Sequence, residues 1–129
     1  MSFYEKELRK MFENRRFASE KKFVGRSCVG KINEVFVVKL TLADSNNIEG
    51  TCTGLDVQII HRTQGVIDRQ YITFESVWGL QKVKSHPNPV IPYIYNNGVD
   101  SPDWYMFKPT DEHYNMFAKY VSYYVTLYK

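Results

Sequence analysis

The alternation of apolar and polar residues is clearest in the middle of the chain, where it predicts a β-hairpin. Leu55, Val57 and Ile59 alternate with polar neighbours, which is the period-two pattern of a strand with one buried face. Gly65 ends this run, because glycine can adopt the positive φ that a tight turn requires. The β-branched and aromatic residues of 66–74 predict the returning strand.

The strongest single strand is predicted over residues 35–42, VFVVKLTL. Phe36, Val38 and Leu40 share one apolar face, so we expect all three in the core. The opposite face is also partly apolar, which suggests that a helix covers at least part of it. A weaker strand is predicted over 23–32, where two glycines interrupt the pattern.

Two polar segments separate these elements. Residues 17–22 are predicted to be a connector, and residues 43–54 a long polar loop. Towards the C-terminus, aromatic runs at 93–95 and 104–107 flank an Asn-Asn-Gly turn signal. These runs predict a last pair of short strands.

An amphipathic helix is predicted at each end of the chain. The first runs from about residue 3 to about residue 14, and Ser2 and Glu5 have the spacing of a capping box at its start. Its apolar residues recur at helical spacing: Tyr4, Leu8, Met11 and Phe12. The second begins after Thr110, and its inward stripe is Tyr114, Phe117, Ala118, Val121, Val125 and Tyr128. A second stripe beside it holds Tyr120, Tyr124 and Leu127.

The order of elements is helix, about six strands, helix. This order predicts a single α+β domain over residues 1–129, in which both helices pack on an antiparallel meander sheet. The N-terminus has no apolar signal core and no run is long enough to span a membrane, so we expect a cytoplasmic protein without a membrane partner.

Charge and aromatic content favour binding. The chain carries a net charge of +3, but residues 1–31 hold nine basic and four acidic side chains (9 − 4 = +5), which leaves 3 − 5 = −2 elsewhere. A basic N-terminal third suggests an acidic partner. Ten Tyr and two Trp indicate broad amphipathic surfaces.

Five stretches carry a family resemblance: FYEKELRKMF (3–12), FVGRSCVGKI (23–32), HRTQGVID (61–68), ITFESVWG (72–79) and WYMFKPTDEHY (104–114). Together they resemble a family of small uncharacterised proteins encoded on conjugative elements and plasmids of Firmicutes. The cargo proteins of such elements include anti-CRISPR inhibitors, transfer accessories and regulators. The resemblance therefore implies a setting in a mobile element, and it transfers no catalytic residue.

Enzymatic and metal sites are weakly indicated. A nucleophile pair would need Cys28 with His61 or His113, but their spacing supports none. The three His and two Cys lack metal-ligand spacing, and the glycines of 24–30 lack the ending of a phosphate-binding loop. We expect no catalysis, no metal and no cofactor.

Two binding hypotheses remain. The first is an anti-CRISPR-like interaction protein that binds and inhibits a host protein, or self-associates, through Trp104, Tyr120, Tyr123 and Tyr124. The alternative is a nucleic-acid-binding accessory or regulatory protein of element transfer, with a basic patch of Arg15, Arg16, Lys21, Lys22 and Arg26.

Overall fold

The computed structural model describes residues 3–44, 52–74, 81–83, 93–96, 104–107 and 110–129. Within them the two helices are α1 (Phe3–Phe12) and α2 (Asp111–Thr126). The strands are β1 (Ser19–Val24), β2 (Ser27–Lys31), β3 (Phe36–Asp44), β4 (Cys52–His61), β5 (Gly65–Thr73), β6 (Gln81–Val83), β7 (Tyr93–Asn96) and β8 (Trp104–Phe107). The predicted α+β class is confirmed.

The sheet is an antiparallel meander of five strands, β1 to β5, with three short strands added. β3 and β4 pair along their whole length, and Gly65 opens β5 with a φ of 84° as the hairpin pattern predicts. β7 joins β4 in parallel at Cys52, and β8 pairs antiparallel with both β7 and β6. The expected total of about six strands was therefore wrong. The pairing of 93–96 with 104–107 is confirmed, whereas the three residues of β6 are too few to form a pattern.

The segment before β3 differs from the sequence prediction. Residues 17–22 are not a connector and 23–32 are not one strand; instead β1 and β2 form a hairpin whose turn contains Gly25 at φ 59°. β1 is the outer strand of this hairpin and its side chains are mostly exposed. An edge strand of this kind has little apolar alternation, so its pattern resembles that of a polar loop.

A β-bulge interrupts the pairing of β1 with β2. The register passes from Ser19 opposite Lys31 to Lys22 opposite Val29, so two β1 residues oppose Gly30. One of the two, Glu20, has a φ of 50°. A Cβ atom at Gly30 would lie 2.7 Å from the Ala18 Cβ, so any larger residue at position 30 would clash with the Ala18 side chain.

The core lies on one face of the sheet, beneath both helices. It contains the predicted apolar faces of α1, β3, β4 and α2: Leu8, Met11, Phe12, Val38, Leu40, Leu42, Leu55, Val57, Ile59, Tyr114, Phe117, Ala118, Val121 and Val125. Phe36, which we expected in the core, is half-buried at the margin beside Tyr128. A helix over the other face was also expected, but both described helices pack on the same side.

A buried carboxylate joins the two helices. Glu7 on α1 is 3% exposed, and its Oε1 accepts a hydrogen bond from the Tyr114 hydroxyl of α2 at 2.8 Å. Its Oε2 lies 2.9 Å from Lys10 Nζ. Because a buried charge is costly without partners, these two contacts help to stabilise Glu7 inside the fold.

Candidate binding surfaces

The solvent face of α2 carries a line of large apolar side chains, which we call the outer stripe. Its members are Met116, Tyr120, Tyr123 and Leu127, with exposed fractions of 46%, 47%, 75% and 66%. The spacing of i, i+4, i+7 and i+11 places them along one face of the helix, away from the buried stripe. At 1.5 Å per residue the stripe is about 17 Å long.

The outer stripe partly coincides with the sequence prediction. Tyr120 and Tyr123, both predicted for protein binding, belong to it. Met116 was missed and Leu127 was grouped with Tyr124, although the 4-3-4 spacing of the outer stripe is readable in the sequence. The remaining predicted residue, Trp104, has its backbone in β8, and the prediction for its side chain lies outside the described residues.

Tyr124 packs inward and holds α2 against β5. Its ring lies 6.0 Å from that of Tyr128, whose hydroxyl donates a hydrogen bond to Asp68. The Tyr124 hydroxyl is buried beside the same carboxylate, without a hydrogen bond of ordinary geometry, and its desolvation raises the pKa of Tyr124. This side chain therefore stabilises the helix position and offers little to a partner.

Lys21, a member of the predicted basic patch, is bonded to backbone carbonyl oxygens of the protein itself. Its Nζ donates to the carbonyl oxygens of Phe12 at 2.6 Å, Glu13 at 2.9 Å and Arg15 at 2.5 Å. These carbonyls lie at and just beyond the C-terminus of α1, where backbone acceptors lack helical partners. The ammonium therefore caps α1. Burial lowers the pKa of Lys21, because it disfavours the charged form.

The other predicted cations lie apart from one another. Lys22 is exposed opposite Val29, on the opposite face of β1 from Lys21, because successive side chains of a strand alternate. Arg26 lies in the turn of the β1–β2 hairpin, with its guanidinium carbon 4.6 Å from the centroid of the Tyr4 ring. The five residues therefore do not form one continuous patch.

Arg16 lines two adjoining grooves, which we call the Arg16 grooves, and Arg15 lines the first of them. The first, of about 190 Å³, is lined by Arg15, Arg16, Phe17, Asn115, Ala118, Lys119 and Ser122. The second, of about 320 Å³, is lined by Arg16, Phe17, Ala18, Ser19, Lys31, Ile32 and Lys129. Among the described residues that line the two grooves there is no Asp or Glu. Arg15 is held in place by donating to the Lys10 carbonyl at 3.2 Å and to Asn115 Oδ1.

Of the residues considered for catalysis and metal binding, Cys28 is buried in the core, and His61 and His113 accept backbone hydrogen bonds. Cys28 is fully buried, and burial raises the pKa of its thiol to about 11. His61 Nδ1 accepts from the backbone N–H of Thr63 at 3.2 Å, and His113 Nδ1 accepts from that of Thr110 at 3.0 Å. Among the described residues, no three His, Cys, Asp or Glu side chains are placed to hold a metal ion.

Comparison with known proteins completes the description of these surfaces. No protein-family model, curated protein or solved structure matches the chain. In the part of the chain that the structure describes, no helix is long and apolar enough to cross a membrane.

Proposed function

We propose that this chain is a non-catalytic interaction protein that binds a partner protein through the outer stripe of α2. The observation that carries the proposal is the unbroken line of four exposed apolar side chains on one helix face. Two of them are Tyr, a residue type that dominates binding energy at protein interfaces. The spacing is that of anchors with which an amphipathic helix occupies a groove on its partner.

The packing of α2 beneath the outer stripe favours binding without a change in conformation. The inner face of α2 is packed in the core through Phe117 and Val121, and Tyr114 ties the helix to α1 through Glu7. A helix held in this way is already in its binding conformation, so association does not pay the cost of ordering it. The partner would meet a rigid surface.

The class of partner follows from the family resemblance and not from the structure. We propose that the chain is cargo of a mobile genetic element and that its partner is a host-defence effector, inhibited in the manner of an anti-CRISPR protein. The net charge of +3 makes the chain a poor mimic of DNA. Inhibition would therefore proceed by covering a functional surface of the effector.

The test is capture of the partner from host cells after nuclease treatment, followed by titration of the purified partner. We expect Tyr120→Ala and Tyr123→Ala each to weaken binding about tenfold, which corresponds to ~1.4 kcal/mol. Val24→Ala is the matched control, because Val24 is 70% exposed but lies on β1. Unchanged affinity in both tyrosine variants, with the fold retained, would exclude the outer stripe as the binding surface.

The alternative occupant of the outer stripe is a second copy of this chain. Light scattering coupled to size exclusion separates the two outcomes without knowledge of a partner. A monomer at high micromolar concentration leaves the stripe available to another protein. A dimer that Tyr123→Ala dissociates would instead assign the stripe to a second copy of this chain.

A further inference from the structure

We infer that the Arg16 grooves form a binding site for the phosphodiester backbone of single-stranded nucleic acid. The inference does not rest on the proposed use of the outer stripe. Arg16 lies between the two grooves, with Arg15 and Lys119 on the first and Lys31 and Lys129 on the second. This set replaces the patch predicted from the sequence, because Lys21 caps α1 and Lys22 lies on the other face of β1.

The charge on the groove walls is largely uncompensated. Among the described residues, Lys31 has an ion-pair partner, Glu34 at 2.7 Å, but no carboxylate lies within ion-pair distance of Arg16 or Lys119. Arg15 is fixed by an amide and a carbonyl, so its positive charge is oriented but not neutralised. An anion placed in the first groove therefore meets one oriented cation, Arg15, and two exposed cations, Arg16 and Lys119.

The polar groups between the cations suit phosphate. Asn115 Oδ1 accepts from Arg15, which leaves its amide nitrogen as a donor, and Ser122 contributes a hydroxyl to the same groove. Phosphate oxygens are acceptors, and most contacts that position a nucleic acid are made to them by Arg, Lys, Ser and Asn side chains.

The shape of the site favours single-stranded nucleic acid over an acidic peptide. Phe17, the one aromatic residue among the described groove linings, is only 1% exposed, so it offers almost no surface on which a peptide side chain could anchor. A protein ligand would need such anchors, whereas the phosphate oxygens of a nucleic acid are bound by cations and hydrogen-bond donors of the kinds that line these grooves. The first groove lies between the α1–β1 connection and α2, and the second between that connection and the end of β2. Because a duplex is wider than a single strand, we expect the single strand to fit these grooves better.

The test is fluorescence anisotropy with labelled DNA and RNA strands of about 15 nucleotides, between about 50 and 200 mM salt. Arg16→Ala/Lys119→Ala should weaken binding at least tenfold and reduce the slope of log K against log salt by about 1 for each cation removed. The matched control is Lys22→Ala/Arg62→Ala, which removes the same charge from two exposed side chains outside the grooves. It should change affinity less than threefold.

Four outcomes would overturn the inference. These are no binding of the unaltered chain even at the lowest salt, equal losses in both double variants, tighter binding of the matching duplex, and equal binding of polyglutamate. Equal losses would mean that net charge alone attracts the strand. Circular dichroism of each variant confirms the fold, and Arg16→Glu provides a second, charge-reversing variant that should abolish binding.

Discussion

Lys21→Met is the substitution that best separates a structural cation from a binding cation. Methionine keeps an unbranched side chain of similar length, so the packing of the stem is largely retained. It removes the ammonium that contacts three carbonyl oxygens at 2.5 to 2.9 Å, those of Phe12, Glu13 and Arg15. The variant therefore tests the cap of α1 with little change in volume.

The expected loss of stability is about 2–3 kcal/mol. A hydrogen bond that involves a charged group contributes about 1.5–3 kcal/mol to stability. A cation at a helix C-terminus adds up to about 2 kcal/mol in a partly buried site. Because the two terms describe one ammonium they do not add, and part of each is offset by the desolvation that lowers the pKa of Lys21. The loss is large beside a total stability of about 5–15 kcal/mol.

The assay is urea denaturation followed by circular dichroism, with Lys22→Met as the matched control. Lys22 is the next residue on β1 but is exposed, so its substitution should change the free energy of unfolding by less than about 0.5 kcal/mol. If Lys21→Met is as stable as Lys22→Met, the ammonium does not cap α1 and the reasoning that removed Lys21 from the basic patch is refuted.

Three further predictions follow from the core and from the contacts of α2. Leu40→Ala should cost about 2–5 kcal/mol in denaturation, because a fully buried side chain leaves a cavity; a loss below about 1 kcal/mol would contradict its placement. Tyr114→Phe should cost about 1–3 kcal/mol, since it leaves the buried carboxylate of Glu7 without that donor, and a neutral effect would mean the bond is absent. The hydrogen bond from Tyr128 lowers the pKa of Asp68 below its ordinary 3.8, so its stabilisation is present above that pH and is lost as pH falls through the lowered pKa. Unfolding of Asp68→Asn and the unaltered chain from pH 7 to pH 2 should show a difference that shrinks on acidification, and a constant or growing difference would disagree.

The elements that the sequence predicted correctly are those with one strongly apolar face. Val38 and Leu40 on β3, and Phe117 and Val121 on α2, repeat at the period of their own element and are fully buried. The β1–β2 hairpin lacked this signal, because an edge strand buries few side chains. Its turn glycine, Gly25, was therefore assigned to the interior of a strand.

The binding surfaces could also be predicted only in part from the sequence, for a different reason. Lys21 and Lys22 are neighbours in sequence but lie on opposite faces of β1, so a charge cluster counted along the chain is divided in space. Lys119 joins Arg16 in one groove although about a hundred residues separate them, and only the packing of α2 beside the α1–β1 connection brings them together. The outer stripe, in contrast, is local to one helix and its spacing could have been read directly.

Photo-crosslinking in host cells tests the central claim, that the outer stripe is a protein-binding surface, most directly. A photoreactive phenylalanine replaces Tyr123 on the outer stripe or, as the control, Val66 on β5, which are 75% and 53% exposed. We predict that position 123 crosslinks one host protein, that position 66 does not, and that Tyr120→Ala reduces the yield at position 123. The same product from position 66, or a product from position 66 alone, would contradict the claim.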